Sequence, residues 1–224
     1  MRINRYIALS TGLSRRAADR AVQEGRVLID GTAALPASVV KGAQHVTLDG
    51  QPVQMPETLQ TILLNKPAGY VVSREGQSSK TIYDLLPAEL QHLKPIGRLD
   101  KDSSGLLLLT NDGILAHQLT HPRFQKVKVY ELALDQPLQP LHRQMIHDIG
   151  IQLEDGPSKL ILERLQEGNE KRWRVTMREG RNRQIRRTFA ALGYRVIRLR
   201  RTHFGSYTLP ADTLPGHYTT LTAS

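Results

Sequence analysis

The chain has 224 residues and no cysteine, with 31 lysines and arginines against 21 aspartates and glutamates for a formal net charge of +10. That length buries a sizeable core unaided, and the lack of thiols excludes cysteine catalysis, zinc–thiolate sites and disulfide staples and suits a reducing cytosol. The basic opening Met1-Arg2-Ile3-Asn4-Arg5 lacks the apolar stretch of a signal peptide and no run nears membrane-spanning length, so the sequence reads as a soluble, cytoplasmic protein with no membrane partner.

Residues 1–56 read as one compact unit. Ile3, Tyr6 and Ile7 recur at helical spacing until Gly12 breaks the pattern. Ser14 is placed to cap a second helix that carries Ala17, Ala18, Ala21 and Val22 on one face and ends at Gly25. Short strands over 26–29 and 45–48 run into the turns Asp30-Gly31 and Asp49-Gly50. Arg15, Arg16 and Arg20 gather at the start and polar side of the second helix, and Arg16 and Arg20, one turn apart, are spaced to grip neighbouring phosphates. Residues 51–60, with Pro52 and Pro56, read as a linker.

From residue 60 to 224 the pattern alternates between strands and helices without a regular repeat. Strands are expected over 62–64 and 70–73, separated by the turn Asn65-Lys66-Pro67-Ala68-Gly69, then a short helix over 81–86 stopped by Pro87. Leu106 to Leu109 form a core strand closed by the turn Asn111-Asp112-Gly113. A short helix over 114–119 and a strand over 126–134 follow. The remainder reads as a helix over 138–146, strands over 159–165 and 172–177, a helix over 181–192 and a strand over 194–199. Together these elements predict an α+β fold, a mixed and mostly antiparallel sheet with flanking helices.

Two stretches carry chemistry. Gly97-Arg98-Leu99-Asp100 sets a carboxylate in a tight polar loop at the mouth of the leucine strand, and loops on a rigid scaffold carry function more often than core positions do. Local pattern alone equally allows Asp100 to be a plain turn cap ahead of an ordinary core strand. Residues 171–205 hold twelve cationic side chains, eleven of them arginine, against one acid. Such concentration points to a polyanion, because guanidinium groups make planar, bidentate contacts with phosphate and stack on bases. RNA is favoured over a membrane because no basic amphipathic helix carries an aromatic face.

Four stretches in order, Gly97-Arg98-Leu99-Asp100, Lys128-Val129-Tyr130-Glu131, Glu179-Gly180-Arg181-Asn182-Arg183-Gln184-Ile185-Arg186-Arg187 and Val196-Ile197-Arg198-Leu199-Arg200-Arg201, resemble the bacterial pseudouridine synthases that modify ribosomal RNA. The resemblance is to the RsuA branch, which carries an amino-terminal S4 RNA-binding domain. It covers nearly the whole chain, and Ser14-Arg15-Arg16 followed by Gly25-Arg26-Val27-Leu28-Ile29-Asp30-Gly31 is a recurrent S4 pattern. It implies an S4 domain over 1–56, with Arg15, Arg16 and Arg20 on RNA, and a catalytic domain over 60–224. The implied reaction isomerises a uridine to pseudouridine with no cofactor, no metal and no energy carrier. By the same resemblance Asp100 is the nucleophile. Because burial would raise its pKa, it needs a cation beside it to stay ionised, and that cation is Arg186. Tyr130 stacks on the extruded base and takes part in proton transfer from the sugar. Leu199 packs against the base pocket, Arg98 fills the vacated space in the helix or holds the RNA backbone, and Arg181, Arg183 and Arg187 complete the substrate-binding set. The implied partner is ribosomal RNA of the small or the large subunit, free or within an assembly intermediate, and the chain is taken as a monomer. Val129, Thr188 and the pair Asn4-Arg5 depart from the family pattern. None of them touches Asp100, Tyr130 or Arg186, so the departures bear on RNA specificity rather than on the reaction.

Other chemistries fit less well. His117 and His121 have the i, i+4 spacing of a zinc-binding helix, but no glutamate follows His117 and Pro122 cuts the helix. There is no G-x-G-x-x-G and no phosphate loop. A non-catalytic RNA-binding platform with a decayed site is the alternative from another class, and an intact Asp100 with its tyrosine and arginine argues against it.

Overall fold

The computed structural model describes residues 1–55 and 58–221. The chain divides into two compact units, one of residues 1–61 with 111–113, the other of 62–110 with 114–221.

In the first unit, helices α1 (Ile3–Thr11) and α2 (Arg15–Gln23) precede four short strands, β1 (Val27–Ile29), β2 (Thr32–Ala33), β3 (Val46–Leu48) and β4 (Gln51–Pro52). Gly12 stops α1 at φ +78°, a left-handed conformation that costs glycine little. Ser14 accepts the Ala17 N–H and so caps α2. The strands form an antiparallel sheet in the order β2-β1-β3-β4. Both of its hairpins turn on Asp-Gly pairs with positive φ, Asp30-Gly31 and Asp49-Gly50, the geometry that matches strand twist. Ile3, Ile7, Ala18, Ala21, Val27 and Val46 close the core. Gln51 and Pro52 belong to β4, so the stretch expected as linker begins as sheet. Pro56, also placed in that linker, lies outside the described residues.

The second unit is built on one nine-stranded sheet. Its strands are β5 (Thr61–Lys66), β6 (Lys94–Pro95), β7 (Ser104–Thr110), β8 (Lys128–Leu134), β11 (Ile161–Arg164), β12 (Arg172–Met177), β13 (Val196–Phe204), β14 (Tyr207–Thr208) and β15 (Tyr218–Leu221). The order is β11-β12-β8-β13-β7-β5-β15, with β6 on β7 and β14 on β13. A separate hairpin joins β9 (Ile151–Leu153) to β10 (Gly156–Ser158). Helices α3 (Gly113–Thr120), α4 (Pro140–Gln144) and α5 (Gln184–Ala190) complete it, and α4 runs on into a π-helical turn, Met145–Ile149. The β11–β12, β12–β8, β8–β13 and β6–β7 pairs are antiparallel, whereas β13 and β7 pair parallel.

The leucine run explains how the sheet is covered. Leu107 and Leu109 enter the larger core with Leu64, Leu132, Trp173 and Phe189. Leu106 and Leu108 enter the opposite core with Ile96, Leu119 and Phe204. All four are fully buried, as expected of a strand covered on both faces, where the sequence reads as a continuous apolar run. At the entry to β7, Gly105 lies so close to β13 that a Cβ would stand 2.2 Å from the Arg201 carbonyl oxygen, and its φ is +101°. Only glycine fits there, so the strand that follows the Asp100 loop is seated directly on β13.

Other expectations shift. Residues 70–73 form no strand beyond a single bridge between Val71 and Thr81, and the helix over 81–86 is one 3-10 turn, Ile82–Leu85, capped by Thr81 and Asp84. The helix expected from 181 begins at Gln184, because Arg183 holds a left-handed φ of +46°. The last expected strand runs five residues further, to Phe204.

Candidate active site

A cleft of about 290 Å³ opens in the second unit, lined among others by Gly97, Arg98, Leu99, Asp100, Ser103, Lys128, Tyr130, Arg183, Arg186 and Leu199. Its volume is near the lower bound for a small-ligand site. Three elements meet here: the 97–103 loop between β6 and β7, the face of β8 and β13, and the arginine loop at the head of α5.

The loop is pinned from beneath by Lys66, the last residue of β5. This lysine is fully buried, and its ammonium donates to the carbonyls of Ser103 (2.7 Å), Pro67 (3.0 Å) and Asp100 (3.1 Å). Burial brings its pKa down to about 8, and the negative charges of Asp100 and Asp102 oppose that fall. A turn bond from Ser103 N–H to the Asp100 carbonyl closes the loop. The Asp100 backbone is thereby fixed, while its carboxylate, 32% exposed, projects into the cleft.

The guanidinium beside Asp100 is that of Arg183, at 3.6 Å, and this corrects the sequence expectation of an Asp100–Arg186 pair. Arg186 instead meets Asp102: its Nε lies 3.2 Å from Oδ2, and one Nη donates to the Asp102 carbonyl at 3.0 Å. Its other Nη donates to the Val196 carbonyl at 2.6 Å. Arg183 also grips Asp102 through two 3.0 Å bonds. The reason lies in spacing: Asp102 stands two residues past Asp100 on the outer side of the turn, and two cations three residues apart at the start of α5 converge on it. Arg183 first and Arg186 second hold the Asp102 carboxyl below its usual range. Burial lowers the Arg186 guanidinium and Asp102 opposes that.

Arg181 and Arg187, expected on substrate, have their side chains committed within the protein. Arg181 donates to Asp155 Oδ1 (2.8 Å) and to the carbonyls of Asp155, Gly156 and Pro157. Arg187 pairs with both Asp155 oxygens at 2.6 and 3.1 Å and donates to the Asn182 carbonyl. The β9–β10 turn thus clamps both ends of the arginine loop. Gln184, nearly fully buried, ties the loop to Ser158 and Glu179.

Tyr130 on β8 is 8% exposed and Leu199 on β13 is 6% exposed, and both line the cleft. Arg98 stands exposed at the rim with no ion pair among the described residues. Lys128 reaches the Glu179 carbonyl, and its pKa is lowered by burial and then by the nearby Arg201 charge. Arg15, Arg16 and Arg20 lie in the other unit, all exposed on α2 and without ion pairs among the described residues. Sequence reasoning missed the work of Lys66, Asp102 and Asp155. Lys66 was visible only as a turn residue, Asp102 as one more polar residue of the 97–113 segment, and Asp155 pairs with arginines 26 and 32 positions away. His117 and His121, read for metal spacing, meet each other ring to edge at 4.8 Å between centroids and both face Phe124.

A carboxylate, a tyrosine and guanidinium groups thus line one small cleft in a sheet flanked by an arginine-bearing helix. The family model described as RNA pseudouridylate synthase matches residues 60–191. "Ribosomal small subunit pseudouridine synthase A" of Yersinia pestis is 37% identical over 99% of this chain and 95% of its own length. The protein of the same name from Escherichia coli strain K12 is 35% identical over 99% and 96%. "Ribosomal large subunit pseudouridine synthase B" of Xylella fastidiosa is 34% identical over 98% of this chain and 48% of its own length. A solved structure, "Crystal structure of pseudouridylate synthase", superposes with a TM-score of 0.70 at 30% identity, covering 99% of this chain and 96% of that one. The chain therefore belongs to the RNA pseudouridylate synthase family and is an isomerase of RNA uridine.

Proposed function

We propose that this protein converts a specific uridine of ribosomal RNA to pseudouridine with Asp100 as nucleophile on an extruded base. The observation that carries this reading is the Asp100 carboxylate in the cleft, its backbone held by Lys66 and its side chain 3.6 Å from the Arg183 guanidinium. In the reaction the bond from the sugar to N1 of uracil breaks and a bond from the sugar to C5 forms. One proton leaves C5 and one arrives at N1, so atoms balance without a co-reactant. Asp100 adds to the substrate, at the sugar or at the pyrimidine ring, and leaves when the new bond is made. Tyr130 stacks on the base and assists proton transfer from the sugar. Stacking is worth about 1–3 kcal/mol per base, comparable to the few kcal/mol that extrusion costs. Leu199 closes the apolar side of the cleft and Arg98 holds the vacated strand. Arg186 acts through the Asp102 carboxylate and carbonyl rather than by touching Asp100. Arg183 is the guanidinium paired with the Asp100 carboxylate.

Residues 1–56 act as an S4-type RNA-binding unit that grips structured RNA through Arg15, Arg16 and Arg20, and residues 60–224 carry the chemistry. The small-subunit relatives that match over almost their whole length favour small-subunit RNA as substrate. The test is incubation of the purified protein with unmodified ribosomal RNA, without metal or nucleotide, followed by mapping of pseudouridine. A single modified position with the wild type and none with Asp100→Asn is the expected result. Undiminished product from Asp100→Asn would overturn the nucleophile assignment, and tight RNA binding with no product from the wild type would overturn the reaction.

A further inference from the structure

Beside the cleft lies a cluster of rings that the reaction does not use. The last turn of α3 presents His117, and the following 3-10 turn, Pro122–Phe124, returns Phe124 toward it. The His117 and His121 rings stand 4.8 Å apart and meet Phe124 edge to face at 6.1 and 6.2 Å. The Arg123 guanidinium lies over the Phe124 ring at 4.5 Å, and the Lys126 ammonium stands 5.9 Å from its centroid. His117, His121 and Arg123 are exposed while Phe124 is half-buried behind them. The Arg123 N–H donates to His121 Nδ1 and holds the turn in shape.

Two further observations give this cluster an occupant. It is continuous with the cleft, because Leu119 and Thr120 of the same helix turn line it together with Gly97 and Arg98, and a Cβ on Gly97 would stand 4.0 Å from the Thr120 methyl. Its cations are also unneutralised: among the described residues neither Arg123 nor Lys126 nor Arg98 has a carboxylate partner, whereas Arg181, Arg183, Arg186 and Arg187 all do. A surface that joins planar rings and a stacked guanidinium to free positive charge matches a single-stranded nucleotide, with the base on the rings and the phosphate on the cations. We propose that the α3 end is a second nucleotide subsite that receives the unpaired neighbour of the extruded uridine. The proposal rests on the isomerase reading for the identity of the first nucleotide. It explains how the strand is held open on one side while the target base occupies the cleft.

The test places a reporter at the exposed helix position with His117→Trp in the full chain. Trp173, the sole native tryptophan, is fully buried and serves as a constant background. The probes are an oligouridylate of about five nucleotides, within the usual site size of a single-strand binder, and uridine monophosphate. The oligomer is expected to quench the reporter and the monophosphate to leave it unchanged. His117→Leu is expected to weaken oligomer binding about 5- to 100-fold with an unchanged melting temperature. Arg123→Ala with Lys126→Ala is expected to lower the slope of log affinity against log salt by about 1.4, two phosphates on a single strand. An unquenched reporter with bound oligomer overturns the subsite, as does equal weakening of oligomer and monophosphate binding in His117→Leu. Pseudouridine formation in ribosomal RNA by the wild type is scored in parallel. Product without quenching rejects the subsite and keeps the isomerase, and quenching without product does the reverse.

Discussion

Lys66 shows how one side chain sets the geometry of the carboxylate without touching substrate. A charged lysine has three N–H donors, and the three carbonyls of Pro67, Asp100 and Ser103 take all of them. Its pKa of about 8 lies below the ordinary 10.5, so between those values the unfolded chain binds the proton and the folded protein has lost it. Stability therefore rises with pH across that window. Deprotonation nevertheless leaves two donors for three acceptors, and the loop under Asp100 loosens. The expected outcome is an alkaline fall in kcat/KM with a midpoint near 8 while the melting temperature holds or rises. Lys66→Met should be slow at every pH and lack that limb. A rate profile of the wild type that stays flat to pH 10 would remove Lys66 from the positioning of Asp100.

Among elements, the β9–β10 hairpin and the arginine loop illustrate a division of labour that residue types alone conceal. Asp155 takes Arg181 on one side and Arg187 on the other, so the five residues between them are held at both ends, and Arg183 is kept in its left-handed conformation against Asp100. Asp155 is 41% exposed, and partly exposed ion pairs contribute about 0–1 kcal/mol each; the global cost of Asp155→Asn should be small. The catalytic cost should be larger, about 10- to 100-fold in kcat, because a displacement of about 1 Å at a reacting group is worth that much. Steady-state kinetics beside a melting curve checks it, and unchanged kcat would mean that the loop holds its shape alone. The sequence announced α1, α2, the Asp-Gly hairpins, β7, β8 and β12 because each rests on local signals: a cap, a turn pair, an unbroken apolar run or alternation. It placed Asp100, Tyr130, Leu199, Arg98, Arg183 and Arg186 around one cleft. It did not foresee that Arg183 is the guanidinium beside Asp100 or that Arg181 and Arg187 pair with Asp155, since which carboxylate a guanidinium meets is decided by tertiary spacing across 26 to 84 residues. The overestimated start of α5 is likewise a tertiary matter, for Arg183, bonded to Asp102 across 81 residues, stands outside helical geometry.

For the whole molecule, the net charge of +10 is less informative than which cations are still available. The densest basic stretch spends Arg181, Arg183, Arg186 and Arg187 on Asp100, Asp102 and Asp155, so these charges shape the site and contribute little to long-range attraction. Arg15, Arg16 and Arg20 in the first unit and Arg98, Arg123 and Lys126 in the second have no ion pair among the described residues. Counterion release on RNA binding should follow these free groups, because a cation already paired with a carboxylate displaces few ions from the phosphate backbone. Replacing Arg15, Arg16 and Arg20 together by alanine should lower the salt slope for structured RNA by about 2 to 3. Turnover on a short oligouridylate that engages only the second unit should stay unchanged. Arg187→Ala makes the contrast, since it removes a charge from the basic motif yet should leave the slope within error while lowering kcat through the loosened loop. Binding titrations over a range of salt concentrations separate the two. A slope that falls as much with Arg187→Ala as with loss of one arginine of α2 would show that the motif arginines leave Asp155 for phosphate when RNA arrives.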